Sequence, residues 1–544
     1  MAHHWFADLR HNTRALLHRG LAALPGERPR WVVLEIGGPY PARRPTGRIW
    51  GFEERAETLE QLTEKLQALA QAPWVEGVVL RIEGLRAPYG TVFALREAVQ
   101  RLRDAGKQTL AYLTRVDFSS YYLASAAQTI AVPESAEFSL LGLKLSVTFV
   151  KDFLDRYGIR FEKQAIREYK SAGDNLVHSR MSEANREQYT TLLERFFEVF
   201  AQAVAEARGV DPQTVRDWID AGITSAKEAQ ARGLVDRVAY EDELIQKHHQ
   251  PYRAAARFLP PKLRVFSARR VAVVPLVGAI VTGPSRRVPL PLPILGGDQA
   301  GSESLLRALR LAEADPKTAA IVLYVDSPGG SALASDLILR EVARIKKTKP
   351  VVAVLGPVAA SGGYYVACQA TRIVAAPTTL TGSIGVVTLF GILEEFNHRY
   401  GLNPEAITLG RFAELGTSRR APTEEERALI QRYIEEVYAR FVARVVEGRG
   451  LEPARVDEIG RGRVWAGQDA LELGLVDELG DVERGLALAR ELADLPPDAP
   501  AWNVPMPKPL ILPRPDQPSA FLKVLAPLLA ERALLLHPEV LEIR

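Results

Sequence analysis

The sequence repeats itself, and that repeat limits the possible fold more than any other feature. Val79-Leu80-Arg81-Ile82-Glu83 is matched by Val322-Leu323-Tyr324-Val325-Asp326, Tyr121-Tyr122 by Tyr364-Tyr365, and Arg156-Tyr157-Gly158 by Arg399-Tyr400-Gly401, each 243 positions apart (364 − 121, 400 − 157). Further on, Arg208-Gly209 matches Arg449-Gly450 and Gly233-Leu234-Val235-Asp236 matches Gly474-Leu475-Val476-Asp477, now 241 apart (449 − 208, 474 − 233). A register held over that distance with a slip of two residues means a duplicated domain. A chain of 544 residues is also too long for one core. The expected organisation is a basic amphipathic segment over 1–29, a first repeat over 30–250, a linker over 251–268, a second repeat over 269–495 and a Pro-rich tail over 496–544. Within the tail, residues 521–536 read as an apolar amphipathic helix.

The chemistry-bearing stretches lie in the second repeat. Val351 to Leu355 reads as a buried strand, and Tyr364, Tyr365, Ala367, Cys368 and Ala370 continue as a helix, so Ser361-Gly362-Gly363 falls on the turn between them. Upstream, the apolar run Ala319–Val325 ends in Asp326-Ser327-Pro328-Gly329-Gly330-Ser331, ahead of a helical stretch from Ala334 to Lys346. In a parallel sheet both glycine turns sit at the carboxyl ends of their strands, on the edge where open α/β sheets hold their ligands. Backbone N–H groups of Gly330 and Gly362 then face one point and suit a developing oxyanion. Two readings of Ser361 follow: a helix N-cap beside tight packing, or a nucleophile in need of a base.

Comparing the two halves indicates which residue supplies that base. At the positions of Gly329, Gly330, Ser361 and Gly362 the first half has Arg86, Ala87, Phe118 and Ser119, so it lacks both the serine and the glycines. It carries instead Tyr169-Lys170-Ser171-Ala172-Gly173, and Ala413 stands where Lys170 would recur. Each half holds what the other has lost, as expected of one site built from both repeats. Histidine is the commoner partner for a serine, but His3, His4, His11 and His18 lie in the N-terminal segment, His248 and His249 border the linker and His537 is in the tail. His178 and His398 follow no triad pattern. Lysine serves once burial lowers its proton affinity, because desolvation disfavours the ammonium. Ser383, in Leu380-Thr381-Gly382-Ser383-Ile384-Gly385, is placed to orient the neutral amine. The competing reading of Lys170 is a solvated surface lysine.

Composition narrows the partners. Sixty-nine basic against 66 acidic residues give a net charge of +3, which predicts no nucleic-acid partner. The single cysteine, Cys368, lies in an apolar helix and reads as packing; no Cys/His spacing suits zinc, and neither a metal nor a cofactor is expected. No run of about 18–20 apolar residues is present to span a bilayer. Trp5, Phe6, Leu9, Leu16, Leu17 and Leu21 alternate with Arg10, Arg14, His18 and Arg19, which suits either a helix lying on an anionic membrane surface or one packed on the first domain. The apolar loop Val288–Leu295 is a second candidate for membrane contact.

Taken together, Tyr169-Lys170-Ser171-Ala172, Asp326-Ser327-Pro328-Gly329-Gly330, Ala360-Ser361-Gly362-Gly363-Tyr364 and Leu380–Gly385 resemble the signal peptide peptidase A family in its long, tandem-domain form, peptidase family S49 of the Clp-protease/crotonase superfamily. The likeness runs from about residue 30 to 490. It implies an α/β fold of two tandem domains built from repeated ββα spiral units, with a helical N-terminal segment and a C-terminal tail. It implies a serine endopeptidase with Ser361 as nucleophile, Lys170 as general base, Ser383 orienting that lysine and the Gly330 and Gly362 amides as oxyanion hole. Gly329 and Ser331 would touch a peptide substrate. The resemblance further implies a homotetramer, association with the membrane of the cell envelope, and cleaved signal peptides and other short apolar peptides as substrates. Long-form members can carry an N-terminal transmembrane anchor that has no counterpart here, which leaves a soluble cytoplasmic form open. Two other functions stand beside this one: a catalytically silent oligomeric scaffold for membrane proteins, and a crotonase-type acyl-CoA enzyme.

Overall fold

The computed structural model describes residues 12–13, 15–20, 22, 26–41, 57–244, 249–259, 269–288, 297–507, 510–511 and 534–536. The chain packs as two units that do not follow the repeat boundary: residues 1–143 with 196–269, and residues 144–195 with 270–543. The second break falls inside the continuous helix Glu183–Arg208. Residues 144–195, counted with the first repeat by sequence, therefore share a unit with the second.

The first unit is built on a parallel sheet in the order Arg237–Val238, Thr129–Val132, Gln108–Leu113, Gly77–Leu85, Trp31–Gly38, His249–Pro251. Its inner strands are apolar on both faces, as a parallel sheet covered on both sides requires. Val32, Leu34, Ile36, Val78, Leu80 and Ile82 pack against Leu62, Leu66 and Leu69 of helix Leu59–Gln71 and Val92, Leu95 and Val99 of helix Tyr89–Asp104, while Val33, Val79, Leu110 and Tyr112 form a smaller cluster. The edge strand corrects the expected linker. Residues 249–251 pair with Trp31–Val33, and helix Tyr252–Ala256 places Ala255 in the core, so the fold continues to about residue 259. Pro251 is accommodated because an edge strand can lack a donor.

The second unit repeats the plan and adds to it. Its main sheet runs Val464–Ala466, Leu380–Gly382, Val351–Ala360, Thr318–Ser327, Arg270–Val277, Ala501–Asn503, with Arg372–Ala375 also beside Val351–Ala360. Ala501–Asn503 pairs with Val271–Val273 and Trp502 is buried, so the tail expected from residue 496 begins inside the sheet. A second, mixed sheet joins Ala279–Val281, Gly329–Ser331, Leu534–Leu536, Val387–Ile392 and Arg160–Ala165. Leu534–Leu536 is a strand where the sequence suggested the end of a helix; residues 521–533 lie outside the described residues. So do Trp5, Phe6, Leu9, Arg10, Arg14 and Leu21 of the N-terminal segment and residues 289–295 of the apolar loop. No described helix is long and apolar enough to cross a membrane.

Candidate active site

Strand register carries the expected serines to one sheet edge. Ser327 lies opposite Ala359, and Ala360 opposite Gly382, so the chain leaves three neighbouring strands at the same level. Ser361 follows directly, and its N–H donates to the Gly382 carbonyl at 2.8 Å. It then opens helix Gly362–Ala367 with φ 55° and ψ −116°, a left-handed conformation that is strained for any residue with a Cβ. A serine held on such a strand-to-helix elbow projects its hydroxyl away from the backbone that would otherwise bond it. The cap reading fails accordingly: the Ser361 side chain makes no capping hydrogen bond.

Lys170 arrives from the other sheet. Strand Arg160–Ala165 pairs antiparallel with Val387–Ile392, Ala165 opposite Val387, and the Ile166 N–H continues the ladder to the Val386 carbonyl at 3.0 Å. The loop that follows is held by the Tyr169 N–H on the Arg461 carbonyl, at 3.2 Å, and by two glycines. A Cβ on Gly462 (φ 83°) would lie 2.5 Å from the Lys170 nitrogen, and one on Gly385 3.1 Å from Lys170 Cδ. The side chain is 1% exposed. Its Nζ lies 2.7 Å from Ser361 Oγ and 3.0 Å from both the carbonyl oxygen and Oγ of Ser383.

Lys170 Nζ donates to all three oxygens, and on losing a proton it would keep two N–H bonds to the Ser383 carbonyl and hydroxyl and turn a lone pair to the Ser361 O–H. Burial, with a smaller contribution from the positive charge of Lys163, pushes the Lys170 amine well below the ordinary lysine value. Ser383, itself at φ 51°, is tied by its N–H to the Arg463 carbonyl at 2.6 Å, which anchors the backbone that carries this hydroxyl.

The glycine turns meet beside this pair. A Cβ on Gly362 would come within 2.7 Å of Ser335 Oγ and 3.1 Å of the Gly330 nitrogen, and one on Gly330 would strike the Ile280 carbonyl at 2.0 Å. Both positions therefore need glycine, and the two amides are neighbours. As the first residue of its helix, Gly362 has no intrahelical partner for its N–H. Gly329 donates its N–H to Ser327 Oγ at 3.1 Å. Ser331 Oγ accepts from the Ala334 N–H at 3.3 Å as a helix cap, and its carbonyl accepts from Ser335 Oγ at 2.8 Å. Gly329–Ser331 pairs antiparallel with Leu534–Leu536, an extended apolar segment laid along the turn next to Ser361.

The remaining expectations are placed as follows. Cys368 is buried, its thiol donates to the Tyr365 carbonyl at 3.2 Å, and burial pushes its pKa up to about 12, so it packs. His178 is half exposed beside Asp174 and His398 lies in helix Glu394–Arg399, while the group at Ser361 Oγ is Lys170. Among the described residues no cluster of His, Cys, Asp or Glu is placed to hold a metal. Sequence reasoning missed the partners of the lysine loop: Lys163, Asp174, Asn185, Gln188 and Gly462. Of these only Gly462 left a trace, as a second glycine in Gly460-Arg461-Gly462-Arg463 with Ala221 at the matching place in the first repeat.

Comparison with known proteins places the chain in a family. The family model described as peptidase family S49 matches twice, over residues 101–254 and 343–496, and that described as Clp protease matches residues 290–380. The chain is 33% identical over 449 residues to "Serine protease SPPA, chloroplastic" of Arabidopsis thaliana, covering 81% of this chain and 66% of that one. It is 32% identical to "Protease 4" of Salmonella typhi (77% and 70% covered) and 29% identical to "Protease 4" of Haemophilus influenzae (79% and 72%).

Proposed function

Because the chain belongs to peptidase family S49, with the family's domain present twice, we propose that it is a serine endopeptidase in which Ser361 is the nucleophile and Lys170 the general base. The observation that carries the proposal is the 2.7 Å approach of a buried lysine amine to a serine hydroxyl on a strained elbow. Ser361 Oγ attacks the scissile carbonyl as its proton passes to Lys170 Nζ. The charge that develops on the carbonyl oxygen is met by the Gly330 and Gly362 amides, fixed donors that need not reorganise. Lys170 returns the proton to the leaving amine, and water activated by the same amine releases the acyl group.

The proposed substrates are short, extended, apolar peptides, cleaved signal peptides among them. The strand Gly329–Ser331 supports this: it already accepts the chain's own Leu534–Leu536 antiparallel, the mode in which a peptide adds to a sheet edge. A homotetramer associated with the membrane of the cell envelope completes the proposal. Light scattering and flotation with anionic vesicles test those two points.

The decisive experiment is intact-mass analysis after exposure to a fluorophosphonate, comparing wild type with Ser361→Ala and Lys170→Ala. One adduct on wild type, absent from both variants, is expected. An adduct that survives Lys170→Ala reassigns the base; no adduct on folded wild type overturns the enzyme in favour of a silent scaffold.

A further inference from the structure

Behind Lys170 lies an ion pair that the chemistry just described does not use. Lys163, on strand Arg160–Ala165, donates from Nζ to the main-chain carbonyl of Lys170 at 2.8 Å and is bonded to Asp174, and the two side chains are only 14% and 6% exposed. Asp174 accepts in turn from Asn185 Nδ2 at 3.5 Å, Asn185 Oδ1 accepts from Gln188 Nε2 at 2.8 Å, and the same Nε2 lies 3.1 Å from Ser171 Oγ and 3.3 Å from the Tyr169 carbonyl. Tyr189 OH is 3.4 Å from Ser171 Oγ. The backbone on both sides of Lys170 is thus held from one side by a connected polar group on helix Glu183–Arg208 and the strand. A buried pair is a poor way to gain stability, since desolving both charges offsets most of their attraction. Its position suggests another use.

We propose, on the reading that Lys170 is the general base, that Lys163 and Asp174 are positioning residues: the ammonium clamps the lysine loop, and the balance between the pair's two charges sets the pH at which Lys170 becomes able to accept a proton. With both present, the Lys163 charge opposes a second ammonium nearby while Asp174 limits how strongly. Removing the cation leaves a buried carboxylate that favours protonated Lys170; removing the anion leaves a buried cation that disfavours it. The other titratable groups around the loop have partners of their own. Glu168 pairs with Arg461 at 2.8 Å and Glu187 with Arg463 at 3.0 Å, while the Tyr169 hydroxyl donates to Glu187 at 2.9 Å. Asp457 takes Arg167 at 3.3 Å and the Tyr438 hydroxyl at 2.6 Å. His178 Nε2 stands 4.0 Å from Asp174 on its outer side, and Leu389 of the facing strand carries no charge. Burial and Lys163 are the two causes that lower the Lys170 amine.

The test is the pH dependence of the second-order rate of Ser361 labelling by a fluorophosphonate, measured on the full chain for wild type, Lys163→Met, Lys163→Arg and Asp174→Asn, with His178→Gln as a control that removes the side chain beside Asp174. The acid limb is expected to move up by about 0.5–1 pH unit in Lys163→Met and down by a similar amount in Asp174→Asn. Lys163→Arg, which keeps the charge and a donor, should return it to within about 0.3 unit of wild type. A merely structural pair would slow labelling in both variants with the limb unmoved. Limbs that stay in place, or that move in the same direction, overturn the proposal. Should Lys163→Met not fold, the sign of the shift in the isosteric Asp174→Asn decides alone. Failure of the enzyme reading itself is told apart by the controls: wild type then takes no label, or Lys170→Ala takes it at the wild-type rate.

Discussion

The two repeats solve one local problem in opposite ways. In the first, helix Phe118–Ala124 begins at Asp117 in an extended conformation (φ −111°, ψ 178°), with its carboxylate on the Ser120 N–H and the Ser120 hydroxyl returning the bond to close a capping box. At the equivalent turn of the second, Ser361 sits at φ 55° without a cap, and its hydroxyl meets a buried lysine. Around this difference the supports are retained almost bond for bond. Tyr121 OH donates to the Leu234 carbonyl at 2.7 Å and Tyr364 OH to the Leu475 carbonyl at 2.9 Å. Asp236 accepts from Ile130 N–H and is paired with Arg208; Asp477 accepts from Ile373 N–H and is paired with Arg449. Lys107 donates to the Ala72 and Val75 carbonyls, and Lys349 to those of Glu313 and Asp315. One scaffold therefore tolerates either a relaxed cap or a strained elbow. Strain of this kind costs about 1–3 kcal/mol and persists only where the surroundings enforce it.

The comparison is broken most severely at the elbow. Ser361→Ala is expected to reduce kcat by about 10⁴-fold or more with the fold unchanged by circular dichroism, as for other nucleophiles that act within a unit. Gly362→Ala should lower kcat by roughly 10²–10³-fold, because its Cβ crowds the Gly330 amide that a developing oxyanion would use. Steady-state rates on an apolar peptide that stayed within threefold of wild type would remove Gly362 from the oxyanion hole.

A pH effect on stability comes next in size. The folded-state pKa of Lys170 is lowered, so between that value and the unfolded value near 10.4 the unfolded chain binds the extra proton, and stability rises with pH across that window and is flat below it. Lys170→Met lacks this slope and is expected to melt higher at neutral pH, by an amount equivalent to about 1–2 kcal/mol. Parallel melting curves at all pH values would mean that the amine is charged in the folded protein. The shared supports give the smallest effect. Tyr121→Phe and Tyr364→Phe each leave a buried carbonyl without its donor and should each destabilise by about 1 kcal/mol. Unequal losses, read by thermal denaturation, would show that the supports have diverged along with the site.

Much of this was open to inspection in the chain alone. A duplication read from Tyr121-Tyr122 and Tyr364-Tyr365 was enough to set Phe118 against Ser361 and Ala413 against Lys170, and strand-turn-helix patterning put Ser361 at a carboxyl edge. Glycine turns and apolar strands are local properties, legible because backbone freedom and side-chain period are carried by neighbouring residues. The partners of Lys170 were not legible. Lys163 and Asp174 look like any surface pair until strand Arg160–Ala165 is known to lie against Val387–Ile392.

The two α/β repeats, the division of serine and lysine between them and the glycines that the elbow needs are all written in the order of residues. Long-range packing, in contrast, puts residues 144–195 with the second repeat and not the first, and lays Leu534–Leu536 along Gly329–Ser331. It alone also brought Lys170 Nζ within 2.7 Å of a serine 191 positions away. The reason is physical: a hydroxyl becomes a nucleophile, and an ammonium gives up its proton, through burial and distance, and both depend on which distant strands pair.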